Sequence, residues 1–103
     1  MSYVLYMPNE YDVNVPDGVA RISFSRSRLV VANKTSLSKN AYKTFDYNGK
    51  NLALVPYIGD GDEILSIDSL TDAKILRREL FKRTRSWFKI YEYDGKEMKG
   101  CVA

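Results

Sequence analysis

Two stretches decide the reading of the fold: YKTFDYNGKNLALV at residues 42–55 and FKIYEYDGKEMKGC at residues 88–101. They align without a gap at an offset of 46 residues. Lys43/Lys89, Tyr47/Tyr93, Gly49/Gly95 and Lys50/Lys96 are identical. Tyr42/Phe88, Phe45/Tyr91, Asp46/Glu92, Asn48/Asp94 and Leu52/Met98 are close exchanges. Each copy sets Asn-Gly or Asp-Gly between strand-like runs, the pattern of a two-residue β-hairpin. A type I′ turn needs positive φ at both central residues, which Asn, Asp and Gly tolerate. In the first copy that turn sets Tyr47 opposite Lys50, Phe45 opposite Leu52 and Lys43 opposite Leu54. Phe45, Leu52 and Leu54 then share a face directed at the core, with Tyr42, Ala53 and Val55 on the other. That second face is apolar enough to expect cover on both sides of the sheet.

The similarity extends upstream. Leu65-Ser66-Ile67 matches Ile22-Ser23-Phe24 at an offset of 43, which gives a pseudo-repeat over residues 19–56 and 63–102 of a single domain, 1–103. RISFS at 21–25 and ILSID at 64–68 read as strands. So do SYVLYM at 2–7, stopped by Pro8, and RLVV at 28–31, reached through a tight link at 26–27. Pro16-Asp17-Gly18 signals a turn. NKTSLSKN at 33–40 reads equally as a short capped helix or a loop, and PYIGDGDE at 56–63 as an acidic connector without EF-hand spacing.

One helix is expected, over about residues 70–85. Ser69 is its N-cap, with Asp72 three residues on. Ala73, Leu76 and Leu80 make the apolar stripe, with Phe81 as a further candidate. Lys74, Arg78, Lys82 and Arg85 fall on another face with Arg77 beside it, and Trp87 stands at the helix-to-strand junction. The expected fold is α+β: a small, mostly antiparallel β barrel or sandwich. Two repeated strand–crossover–hairpin units build it, their hairpins related by a pseudo-two-fold axis, with one main helix covering an end.

Composition narrows the function. The chain of 103 residues has no histidine, which removes His-based acid–base chemistry, Ser/His and Cys/His pairs and His-containing zinc sites. A single cysteine, Cys101, has no partner in the chain, which agrees with a reducing compartment. Glu97, Lys99 and Asp94 faintly suggest a metal-dependent nuclease, but such sites need several converging carboxylates and Asp94 is needed by its turn. No glycine-rich phosphate loop is present, so no enzyme activity, metal or cofactor is expected. Net charge is +3, a mild bias toward acidic partners. Neither a long apolar run nor a leader-like N-terminus is present, so a cytoplasmic protein without membrane contact is expected.

Residues 21–56, RISFSRSRLVVANKTSLSKNAYKTFDYNGKNLALVP, resemble AbrB/MazE-type swapped-hairpin domains. They are also similar to short phage and mobile-element proteins of Gram-positive bacteria. The order of strand, tight link, strand, short polar helix and Asn-Gly hairpin carries the resemblance over about a third of the chain. It implies a half-barrel completed by a second half. A homodimer partner supplies that half, or the second copy does within a monomeric pseudo-dimer.

Two functions follow as expectations. The first is a phage-type, anti-CRISPR-like inhibitor that docks on a host nucleic-acid-handling defence protein or its nucleic-acid complex. The second is an AbrB-like transcriptional regulator that contacts DNA directly; RNA is the further nucleic-acid option. Either would use Lys74, Arg77, Arg78, Lys82, Arg85, Trp87, Tyr91 and Tyr93, a surface of cations with interleaved aromatics. The competing reading is a solvated helix face with Glu79 pairing Lys82 or Arg83 and Trp87 buried. A second cluster, Arg21, Arg26 and Arg28, reads as solubilising charge.

Overall fold

Asn48 and Gly49 take φ of 49° and 79°, and the left-handed turn they make folds β3 (Lys43–Tyr47) against β4 (Lys50–Val55). Tyr47 faces Lys50, Phe45 faces Leu52 and Lys43 faces Leu54, the expected register. In this computed structural model the described residues are 2–8, 27–34, 41–56, 58, 63–96 and 98–103. Expectations for residues 21–25, the link at Arg26, residues 35–40 and most of the acidic connector lie outside them, as do Arg21, Glu97 and the side chain of Arg28.

The hairpin is one end of an open antiparallel sheet in an α+β fold. β4 pairs with β2 (Ser27–Asn33), and β2 pairs with β1 (Ser2–Pro8). β1 then pairs with β6 (Lys89–Tyr93), and β6 with β7 (Met98–Cys101). The order is β3-β4-β2-β1-β6-β7, and a short β5 (Glu63–Ile64) on β2 makes the seventh strand. β3 and β7 end the order without meeting, so the barrel form of the expectation is not adopted.

β1 and β2 are paired only from Tyr6 to Pro8 and then fork apart. Residues 63–67 fill the fork. Ile64 lies opposite Ala32, the Leu65 N–H donates to the Val31 carbonyl at 3.1 Å, and Tyr3 and Ile67 exchange backbone bonds of 2.7 and 2.8 Å. Of the strand expected at 64–68, the structure keeps β5 and this one bridge.

From the fork the chain enters α1 (Leu70–Thr84). The Ser69 hydroxyl accepts the Asp72 N–H at 3.3 Å, as an N-cap does. Ala73, Leu76 and Leu80 lie fully buried against Leu5, Val31, Leu54 and Ile90 of the sheet. The opposite sheet face is equally dry, with Val4, Tyr6, Val30 and Val55 at zero exposure. Val4, Leu5 and Tyr6 are consecutive and all buried, the mark of a strand covered on both sides.

The second hairpin departs from the expected symmetry. Tyr93 pairs with Met98, so this hairpin's connection is longer than two residues. The Asp94 carboxylate accepts the Lys96 N–H at 2.8 Å, an Asx turn, and the ladder slips by one residue between Tyr91 and Tyr93. Because side chains alternate along a strand, such changes decide which face each one meets. Tyr91 and Met98 fall on the face away from α1, whereas their sequence equivalents Phe45 and Leu52 fall on the α1 face. The placement of the hairpins differs too. β4, the second strand of its hairpin, lies inward, but so does β6, the first strand of the other. A two-fold axis would put equivalent strands at equivalent depths, so the two hairpins are not related that way.

Candidate partner-binding surface

An α-helix with 3.6 residues per turn sorts the cations of α1 onto two flanks of its buried stripe. Arg77, Phe81 and Arg85 follow one another at spacings of four, and Lys74 and Arg78 lie beside them. Glu79 and Arg83 lie on the other flank. There Glu79 meets Arg83 at 3.6 Å and Lys82 at 3.7 Å, while the Arg83 guanidinium lies 5.2 Å from the Phe45 ring centre. Both pairings expected for a solvated face are present, and both are on that second flank.

The first flank is built differently. After α1 the chain turns at Arg85, which adopts φ 60° and ψ 19° and donates its N–H to the Phe81 carbonyl at 2.8 Å. This left-handed cap brings Trp87 back beside the helix. The Arg77 guanidinium lies 4.4 Å from the centre of the Trp87 ring and donates weakly to the Phe88 carbonyl at 3.5 Å. Phe81 meets Trp87 edge-to-face, with centres 5.7 Å apart and planes at 82°. Arg85 extends over Phe81 at 6.0 Å. Arg77, Trp87, Phe81 and Arg85 therefore form one continuous strip of alternating cations and aromatics.

The strip faces outward. Trp87 is 54% exposed and Phe81 37%, and Lys74 and Arg78 beside them are exposed. Among the described residues no carboxylate pairs with Lys74, Arg77, Arg78 or Arg85. Partial burial pushes the Arg77 guanidinium down from its usual value, while the nearby Cys101 thiol pulls the other way. An arginine so shifted still carries its charge near neutral pH.

Of the expected surface, the structure gathers Lys74, Arg77, Arg78, Arg85 and Trp87. Lys82 is drawn toward Glu79. Tyr91 is 2% exposed on the opposite face of the sheet, edge-on to Tyr6 at 5.3 Å, and half-buried Tyr93 packs with that same cluster. The two tyrosines therefore do not join the strip. Phe81 does, although the periodicity reading offered it to the core. Its spacing of four residues from both Arg77 and Arg85 was the available signal.

Two hollows lie elsewhere. One of about 400 Å³ is bounded by Met7, Leu29, Tyr42, Lys43 and Arg83, and one of about 300 Å³ lies at the tip of the first hairpin. Among the described residues no three His, Cys, Asp or Glu side chains converge as metal ligands, and no helix is long and apolar enough to cross a membrane. No family model, curated protein or solved structure matches the chain.

Proposed function

We propose that the chain is a non-catalytic cytoplasmic binding protein that docks on an acidic surface of a protein partner through the Arg77–Trp87–Phe81–Arg85 strip. The observation that carries this reading is the strip itself: exposed Trp and Phe interleaved with cations that pair with no carboxylate among the described residues. Trp and Arg dominate the energetics of protein interfaces because they combine large contact area with directed polar groups. Folding does not call for the arrangement. Leu76 and Leu80 already hold the helix down, and Arg85 occupies a left-handed conformation that glycine adopts at lower cost. Arg77 already lies against the Trp87 ring, which favours a protein surface over a stacking platform for bases.

In class, the reading is the one expected from the sequence: a phage-type inhibitor docking on a host nucleic-acid-handling protein, anti-CRISPR-like in role. Capture from host lysate, with and without nuclease, tests it. Wild-type protein should retain a host protein after nuclease treatment. The double variant Lys74→Glu/Arg78→Glu should lose it while keeping its melting temperature. Capture that disappears with nuclease transfers the reading to direct nucleic-acid binding, and undiminished capture by the variant removes the strip from consideration.

A further inference from the structure

On the other side of α1, sharing no residue with the basic strip, the hollow of about 300 Å³ opens between the first turns of the helix and the β3–β4 hairpin. Its floor is Leu52, Leu65 and Leu76, each no more than 5% exposed, and Ile75, 51% exposed, stands at one wall. Lys50 from the hairpin and Asp72 from the helix line it as well. Neither makes an ion pair among the described residues. A hollow of this size lies at the lower end of the range that holds small molecules.

The chemistry of the lining selects among occupants. A purely apolar molecule would cover the leucine floor but gain nothing from either charge. An anion would meet Lys50 and also Asp72; a cation would meet the converse. A molecule with an apolar chain and both charges satisfies all three at once. We propose that this hollow binds a free amino acid with a large apolar side chain. The side chain would sit on Leu52, Leu65 and Leu76, the carboxylate toward Lys50 and the ammonium toward Asp72.

Calorimetric titration of the full chain tests this with five probes: L-phenylalanine, L-leucine, 3-phenylpropionate, phenethylamine and N-acetyl-L-phenylalanine amide. The two amino acids should bind, and the phenyl compounds lacking one or both charges should bind about tenfold more weakly than phenylalanine. Lys50→Gln should erase the preference for phenylalanine over phenethylamine. Asp72→Asn should erase the preference over 3-phenylpropionate. Both side chains are exposed, so the variants should fold, and thermal melts check that they do. Two results overturn the proposal: no binding by either amino acid, or equal binding by the uncharged amide, which makes the hollow a pocket for a partner's apolar side chain. Because Lys50 and Asp72 lie outside the strip, these outcomes leave the docking reading untouched.

Discussion

Arg85 is the residue whose chemistry and conformation disagree most. A side chain at φ 60° crowds its Cβ against the backbone, at a cost of roughly 1 kcal/mol or more that glycine avoids. Arg85→Gly should therefore raise the urea midpoint, by an amount equivalent to about 0.5–1 kcal/mol of unfolding free energy, while weakening capture of the partner. A lowered midpoint would mean that the contact with Phe81 outweighs the strain. Gly49 presents the reverse case. At φ 79° with open space where a Cβ would go, Gly49→Ala meets no clash and suffers only the backbone term. Equilibrium unfolding should show a loss of about 1–2 kcal/mol.

At the scale of elements, α1 separates adhesion from contact. Leu76→Ala and Leu80→Ala each empty a fully packed site between helix and sheet and should cost about 2–5 kcal/mol in urea melts. Arg78→Ala, on the exposed flank, should stay within about 0.5 kcal/mol. The reverse order would mean that the helix presents another face to the sheet. The first hairpin was legible in the sequence down to its register, because Asn48-Gly49 admits few turn geometries and the alternation of Phe45, Leu52 and Leu54 agrees with it. The second was not, although Asp94-Gly95 looks equivalent. There the Asp94 carboxylate captures the Lys96 N–H and lengthens the loop, a choice between local hydrogen bonds that residue identity leaves open. Likewise, period-two alternation groups Tyr91 with Tyr93 but is silent on which face they take. The pattern therefore sets them beside Trp87, whereas Tyr91 packs edge-on to Tyr6 and Tyr93 joins the same cluster.

For the whole molecule, strand order was the part hidden from the sequence, since pairing partners far apart leave no local pattern. SYVLYM at 2–7 reads as a strand, but its burial on both faces is a finding of the structure. Its neighbours became visible only in three dimensions. Amide exchange should follow that order: slowest at Val4, Leu5, Val30 and Val31 in the middle of the sheet, fastest in β7 at its margin. Uniform exchange rates would argue against the central placement of β1. That placement also sets a timetable. β1 pairs with β6 at sequence separations of 83 to 91 residues, so one of its two edges has no template until nearly all of the described chain exists. Until then β1 offers a row of open amides flanked by valine, leucine and tyrosine, the type of edge that recruits other chains. A newly made molecule is thus most prone to stick to its siblings just before β6 arrives. Slow synthesis or high concentration should harm its yield far more than its final stability would suggest.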